Sequence, residues 1–166
     1  MPGKVQPVPQ GYHTATPFLV CNDAARAIDF YKRAFDAKER FRMEGPPGKI
    51  GHAELEIGDS RIMLADEMPQ MAAKAPQSLG GTTSGIFLYV KDADTVFNKA
   101  VSAGAKVETP LTNKFWGDRY GSVTDPFGHS WSIATHIEDV APEEIEKRAK
   151  AEMAGSQGAP RTRTAG

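Results

Sequence analysis

The chain has 166 residues, 40% hydrophobic and 25% charged, enough for one core and of a length that fits one domain. Twenty basic against 21 acidic residues leave a formal net charge of -1, which excludes the basic footprint of a nucleic-acid binder. A single cysteine, Cys21, excludes an internal disulfide framework and points to a reducing cytoplasm, and no run reaches the ~18 apolar residues that a membrane span needs.

Residues 1–11 carry three prolines and two glycines and read as an extended arm, without the apolar stretch of a secretory signal. "HTATPFLVC" (13–21) reads as a strand. Asp23 then stands where an N-cap should, and Ala24, Ala27, Ile28, Tyr31 and Phe35 recur at helical spacing. "IGHAELEIG" and "SRIMLAD" alternate as two strands joined at Gly58-Asp59. Residues 68–84, with two prolines and two adjacent glycines, read as a linker. The pattern then restarts. "GIFLYV" is a strand, and Asp92 precedes a helix whose buried stripe is Ala93, Val96, Phe97 and Ala100, closed by Gly104. "VETPLTNKFWGDRYGSVTD" supplies turns and a strand, and "HSWSIAT" the last one. Pro142, Glu143 and Glu144 open a C-terminal helix over 138–154, and the small, polar residues 155–166 are expected to be disordered.

A shift of 69 residues superposes Cys21 on Val90, Asp23 on Asp92, Ile28 on Phe97 and Met63 on Ser132. The domain over 12–137 is therefore a duplicated unit of strand, helix and about three strands, module 1 over 12–67 and module 2 over 85–137. The fold class is α+β, two βαβββ modules whose mixed sheets form a cup around a shared cavity. Strand parity turns Thr14, Thr16 and Phe18 inward on the first strand and Gly85, Phe87 and Tyr89 on its duplicate, with Met63 and Ser132 inward on the last strands.

The duplicated unit, "DAARAIDFYKRAF" after the first strand and "FWGDRYGSVTDPFGHSW" near the end resemble the glyoxalase/bleomycin-resistance/extradiol-dioxygenase (vicinal oxygen chelate) superfamily. "GHAELEIGDSRIMLADE" and the "FWGDRYG" segment are further similar to its PhnB-like branch. The resemblance implies that metal-dependent members take one ligand from each module's first strand and one from its last. The matching residues are Thr16, Met63, Gly85 and Ser132, which lack the histidines and carboxylates that a divalent ion needs. The expectation is a cytoplasmic protein that binds a small-molecule ligand without a metal or other cofactor, has no nucleic-acid or membrane partner, and forms a homodimer because shallow cups leave apolar surface to cover.

Other residues offer rival chemistry. His52, Glu54 and Glu56 share one strand face. If that face lines the cavity, His52 and Glu54 suit a relocated divalent metal, with a carboxylate as base, and the chain is a lyase, isomerase or dioxygenase. If it faces solvent, the alternation with Ala53, Leu55 and Ile57 accounts for it. Trp116, Phe87 and Tyr89 suit an apolar lining, while Arg119 either clamps a ligand anion or pairs with Asp118 to hold the loop. Thr16, Phe18, His52, Glu54, Met63, Phe87, Tyr89, Trp116, Arg119 and Ser132 are the candidate ligand-binding residues. His129 reads as a turn residue, His13 and His136 as solvent-facing, and Cys21 as a small buried hydrophobe.

Overall fold

The structure, a computed structural model, describes residues 5–70 and 72–156. The first module consists of β1 (Phe18–Cys21), α1 (Ala24–Phe35), β2 (Lys38–Glu44), β3 (Ile50–Ile57) and β4 (Ser60–Asp66). After the one-turn helix α2 (Pro76–Leu79) come β5 (Gly85–Tyr89), α3 (Ala93–Ala103), β6 (Lys106–Asn113), β7 (Asp118–Thr124) and β8 (Ser130–His136). A last helix, α4, spans Pro142–Ser156. Two four-stranded sheets result, in the orders β1-β4-β3-β2 and β5-β8-β7-β6, each with one parallel pair at the edge that its first strand forms. This is the expected α+β arrangement of two βαβββ modules.

The repeat extends to single contacts. Phe18 stands opposite Met63 in one sheet, and 69 residues on Phe87 stands opposite Ser132 in the other. Asp23 and Asp92 accept hydrogen bonds from Arg26 N and Thr95 N at 3.1 and 3.0 Å and so cap α1 and α3. The next free N–H of each helix reaches the end of its module's last strand: Ala24 N to Asp66 at 3.0 Å, Ala93 N to Thr135 Oγ1 at 2.8 Å.

One core serves both modules. The alternation in β3 and β4 buries Ala53, Leu55, Ile62 and Leu64 on the α1 side, and β8 buries Trp131 and Ile133. Trp131 also meets α1 of the other module, with ring centroids 5.1 Å from Tyr31 and 4.5 Å from Phe35. Buried Asp125 ties this contact together. It accepts Tyr31 OH at 2.7 Å and Trp131 Nε1 at 2.9 Å, and the N–H groups of Phe127 and His129 hold its other oxygen. His129 Nε2 lies 3.1 Å from Val20 O, so this histidine links the turn before β8 to β1 rather than only closing the turn.

Several elements depart from the sequence expectation: β2 falls on residues to which no strand was assigned, and 106–124 hold two strands, β6 and β7, where one was expected. The first strand begins at Phe18, not His13, because Pro17 has no N–H to extend the ladder, although its carbonyl still accepts Met63 N at 2.9 Å. The linker is not structureless: α2 docks on the turn before β8, with Gln77 Nε2 donating to Pro126 O at 3.0 Å. The last helix continues to Ser156, two residues beyond the expected end. Residues 1–4 of the arm and 157–166 of the tail lie outside the described residues.

Candidate functional site

Each sheet turns its second face away from the helices, and these two faces form the floor on which the candidate residues stand. In the second sheet Gly85, Phe87 and Tyr89 of β5 lie beside Ser130, Ser132 and Ala134 of β8, which in turn lie beside Thr124, Ser122 and Tyr120 of β7. Aromatic rings run across this face: Trp116 to Tyr120 at 5.7 Å, Tyr120 to Phe87 at 5.7 Å, and Phe87 to Tyr89 at 4.9 Å. Beneath them the Tyr120 hydroxyl and Ser132 Oγ are 3.2 Å apart.

A polar hub closes one end of this floor. Asp118, 2% exposed, accepts Tyr89 OH at 2.9 Å and Trp116 Nε1 at 3.0 Å on one oxygen and His136 Nδ1 at 2.8 Å on the other. The second ring nitrogen of His136 is 3.0 Å from Asp139. Burial works against the Asp118 charge, but the bonds from His136, Tyr89 and Trp116 outweigh it and hold the carboxyl below its usual range. The hydrogen bond to Asp118, then that to Asp139, raises the pKa of His136.

In the first sheet, register places Phe18, Met63, Glu54 and Phe41 in one row across the four strands, with His52 beside Met43 in the next. His52 stacks on Phe18 at 6.1 Å, and its Nε2 lies 3.5 Å from Glu54 Oε1. Farther along β4, Arg61 stands opposite Glu56. Tyr12 lies over this part of the floor, its ring centroid 5.7 Å from the Arg61 guanidinium carbon. Burial and the neighbouring Glu54 carboxylate push the Tyr12 pKa up to about 12. Both floors are open to solvent: Phe18 and Phe87 are each 46% exposed and Tyr89 65%.

Between the floors runs a cleft of about 150 Å³, lined by Thr16 and Pro17, Arg61 and Ile62, and Ile86 and Phe87. It lies where a longer first strand would have continued the sheet, since the chain leaves the ladder before Phe18. Residues 12–133 match the family described as the glyoxalase/bleomycin resistance protein/dioxygenase superfamily. The chain belongs to that superfamily. An uncharacterized protein of Mycobacterium tuberculosis, Rv0887c, is 50% identical over 134 residues, 79% of each chain. The crystal structure of TioX from Micromonospora sp. ML1 is 31% identical, with a TM-score of 0.58 over 74% of this chain and 99% of that one. A Bacillus cereus structure described as PhnB protein, a putative 3-demethylubiquinone-9 3-methyltransferase, shares the fold at 20% identity, with a TM-score of 0.55 over 74% of this chain and 99% of that one.

The superfamily's metal-dependent arrangement does not fit these residues. At the floor positions on the first and last strands stand Phe18, Met63, Phe87 and Ser132, with Thr16 and Gly85 two residues earlier; none offers an imidazole or a carboxylate. His52 and Glu54 are floor residues of β3, but no third histidine, cysteine, aspartate or glutamate joins them in a metal-holding group among the described residues.

Most of the expected lining stands on the helix-free faces of the two sheets, in two halves: Phe18, His52, Glu54 and Met63 on one sheet, Phe87, Tyr89, Trp116 and Ser132 on the other. Two residues fall elsewhere. Thr16 lines the cleft ahead of β1 rather than standing on the strand. Arg119 turns to the helix side, where Nη2 and Nε meet Asp94 of α3 at 2.6 and 2.5 Å, so it is neither a floor residue nor the partner of Asp118. His136, expected to face solvent, is half exposed yet bonded at both nitrogens. Cys21 is fully buried, the small buried residue expected, and desolvation pushes its thiol pKa far up. The "KFWGDRYG" segment offered Tyr120 and Asp118 as contact groups, but sequence reasoning did not select His136 as the partner of Asp118, nor Arg61 or Tyr12. Parity alone puts Asp118 and Tyr120 on one face, a signal that was present.

Proposed function

We propose that this protein binds a small organic molecule on the open floor of its two sheets, without a metal ion. The observation that carries the reading is the aromatic run Trp116–Tyr120–Phe87–Tyr89 with Ser132 beneath it and Asp118 at its end. Flat apolar faces supply contact area, and a few fixed polar groups supply orientation, the usual make-up of a ligand site. Ser132 and Met63 then serve as contact groups where a metal-dependent relative has ligands. A second copy of the chain closes over the floors and encloses the ligand against the half-exposed aromatics Phe18, Phe41, Phe87 and Tyr89, which in a monomer would face water.

The test is a thermal-shift screen of small aromatic and anionic compounds, followed by quenching of Trp116 fluorescence. Trp131, fully buried, serves as the internal reference. A compound that raises the melting temperature and quenches Trp116, and loses both effects in Phe87→Ala, supports the floor. If every hit acts unchanged on Phe87→Ala and on Trp116→Phe, the floor is not the site. Elemental analysis of protein purified without chelator should find no stoichiometric divalent metal. One bound equivalent that disappears in His52→Ala would overturn the metal-free reading in favour of a relocated metal site at His52 and Glu54. Sedimentation at micromolar concentration should show twice the 18.0 kDa chain mass; an 18.0 kDa species alone would refute the second copy.

A further inference from the structure

Three buried side-chain polar atoms lack a hydrogen-bond partner among the described residues: the Tyr12 hydroxyl and Nε and Nη1 of Arg61. They lie together. Native proteins pair nearly all buried donors, so an arginine with two idle nitrogens has binding capacity that its own fold does not use.

The surroundings leave Nε and Nη1 idle and engage Nη2 only loosely, so the Nε–Nη2 edge joins one idle donor to one weakly held donor. Nη2 of Arg61 is 3.4 Å from Glu56, but Arg40 holds that carboxylate on both oxygens, at 2.6 and 3.2 Å. Glu54, the other carboxylate nearby, faces Tyr12. What covers Arg61 is the chain ahead of β1. Gly11 has a φ of 83°, and a Cβ added there would come within 3.2 Å of Nη2 and 3.4 Å of Nε. Glycine therefore lays bare backbone against the guanidinium edge formed by Nε and Nη2. That edge is the fork which carboxylates and phosphonates take side-on. Beside it opens the cleft of about 150 Å³, with His13, Thr16 and Ser60 as its polar lining and Ile62, Ile86 and Phe87 among its apolar lining. A space of that volume admits one benzene-sized body.

We propose that Arg61 anchors a small organic anion, whose head group takes the Nε–Nη2 edge and whose apolar body enters the cleft against Ile86 and Phe87, while the Gly11–Tyr12 segment moves aside. The assignment rests on the reading of this protein as one that binds small molecules, and names the chemical class of the ligand. Phe87 belongs to both the cleft and the aromatic floor, so a ligand anchored at Arg61 reaches that floor.

Calorimetry on the full chain with benzoate, phenylphosphonate and neutral benzamide tests it. Benzoate or phenylphosphonate should bind saturably, and the preferred anion identifies the head group; benzamide should bind at least about tenfold more weakly, because a charge-assisted pair is replaced by a neutral one. Arg61→Gln should abolish the difference between benzoate and benzamide. Gly11→Ala should tighten anion binding several-fold, because the added methyl lifts the covering segment; this variant keeps the test decisive if Arg61→Gln fails to fold. Equal affinity for benzamide, or no binding of either anion to wild type and Gly11→Ala, overturns the assignment. So does a Gly11→Ala protein that binds benzoate no better than wild type. None of these results bears on the floor reading, which Trp116 quenching decides separately.

Discussion

A buried carboxylate is stable in its charged form only when its hydrogen bonds are made, and Asp118 has its three partners in Tyr89, Trp116 and His136. Asp118→Ala should cost about 2–3 kcal/mol, read from urea unfolding, since hydrogen bonds to charged groups are worth more than neutral ones. A loss below the error of the measurement would show that the hub is not part of the folding energetics. His136 and Asp118 also impose opposite pH dependences. The raised pKa of His136 gives a contribution complete below its ordinary value of about 6.5 and lost as pH rises through the raised one. The lowered pKa of Asp118 gives a contribution complete above about 3.9 and lost as pH falls. The pair is therefore strongest between those limits. Melting temperatures measured from about pH 6 to about pH 8 should fall more steeply for wild type than for His136→Gln; parallel slopes would refute the linkage.

Adjacent residues on a strand point to opposite faces, and this one local rule decides how much of the site was legible. It placed Phe18, Met63, Phe87 and Ser132 on the floor, because parity and the 69-residue shift need no knowledge of distant contacts. The same rule forbids Asp118 and Arg119 from sharing a face. Arg119 finds Asp94 instead, 25 residues earlier on α3, and that partner depends on how the helix sits on the sheet. The extent of β1 was read too long, because the alternation of "HTATPFLVC" was followed through Pro17, although a proline lacks the N–H that the ladder needs there. Helix-on-sheet packing makes a further demand at Gly121 of β7. A Cβ there would lie 2.7 Å from Phe97 Cε2 and 3.0 Å from Leu111 Cα and Thr109 O. Gly121→Ala should cost about 1–3 kcal/mol, because the backbone of β6 cannot yield as a side chain can. Thermal unfolding checks this; an unchanged melting temperature would show that α3 rides free of the sheet.

At the scale of the whole molecule, the modules are joined less by the linker than by the contact of Tyr31 and Phe35 with Trp131 over Asp125. No helix among the described residues is long and apolar enough to cross a membrane. The large apolar side chains left exposed include Phe18, Phe41, Met43, Phe87 and Tyr89 of the two floors, together with isolated surface positions. The shared core has a consequence for either half of the chain. A single strand–helix–three-strand unit would present the surface that now holds Trp131 or Tyr31 to water, so the unit is complete only in pairs. Joining two such units in one chain turns what would otherwise be an association into a fold. That dependence can be tested directly. Severing the chain between Leu79 and Gly85 should yield halves that are unfolded apart and recover the intact protein's circular dichroism when mixed, the association now depending on concentration.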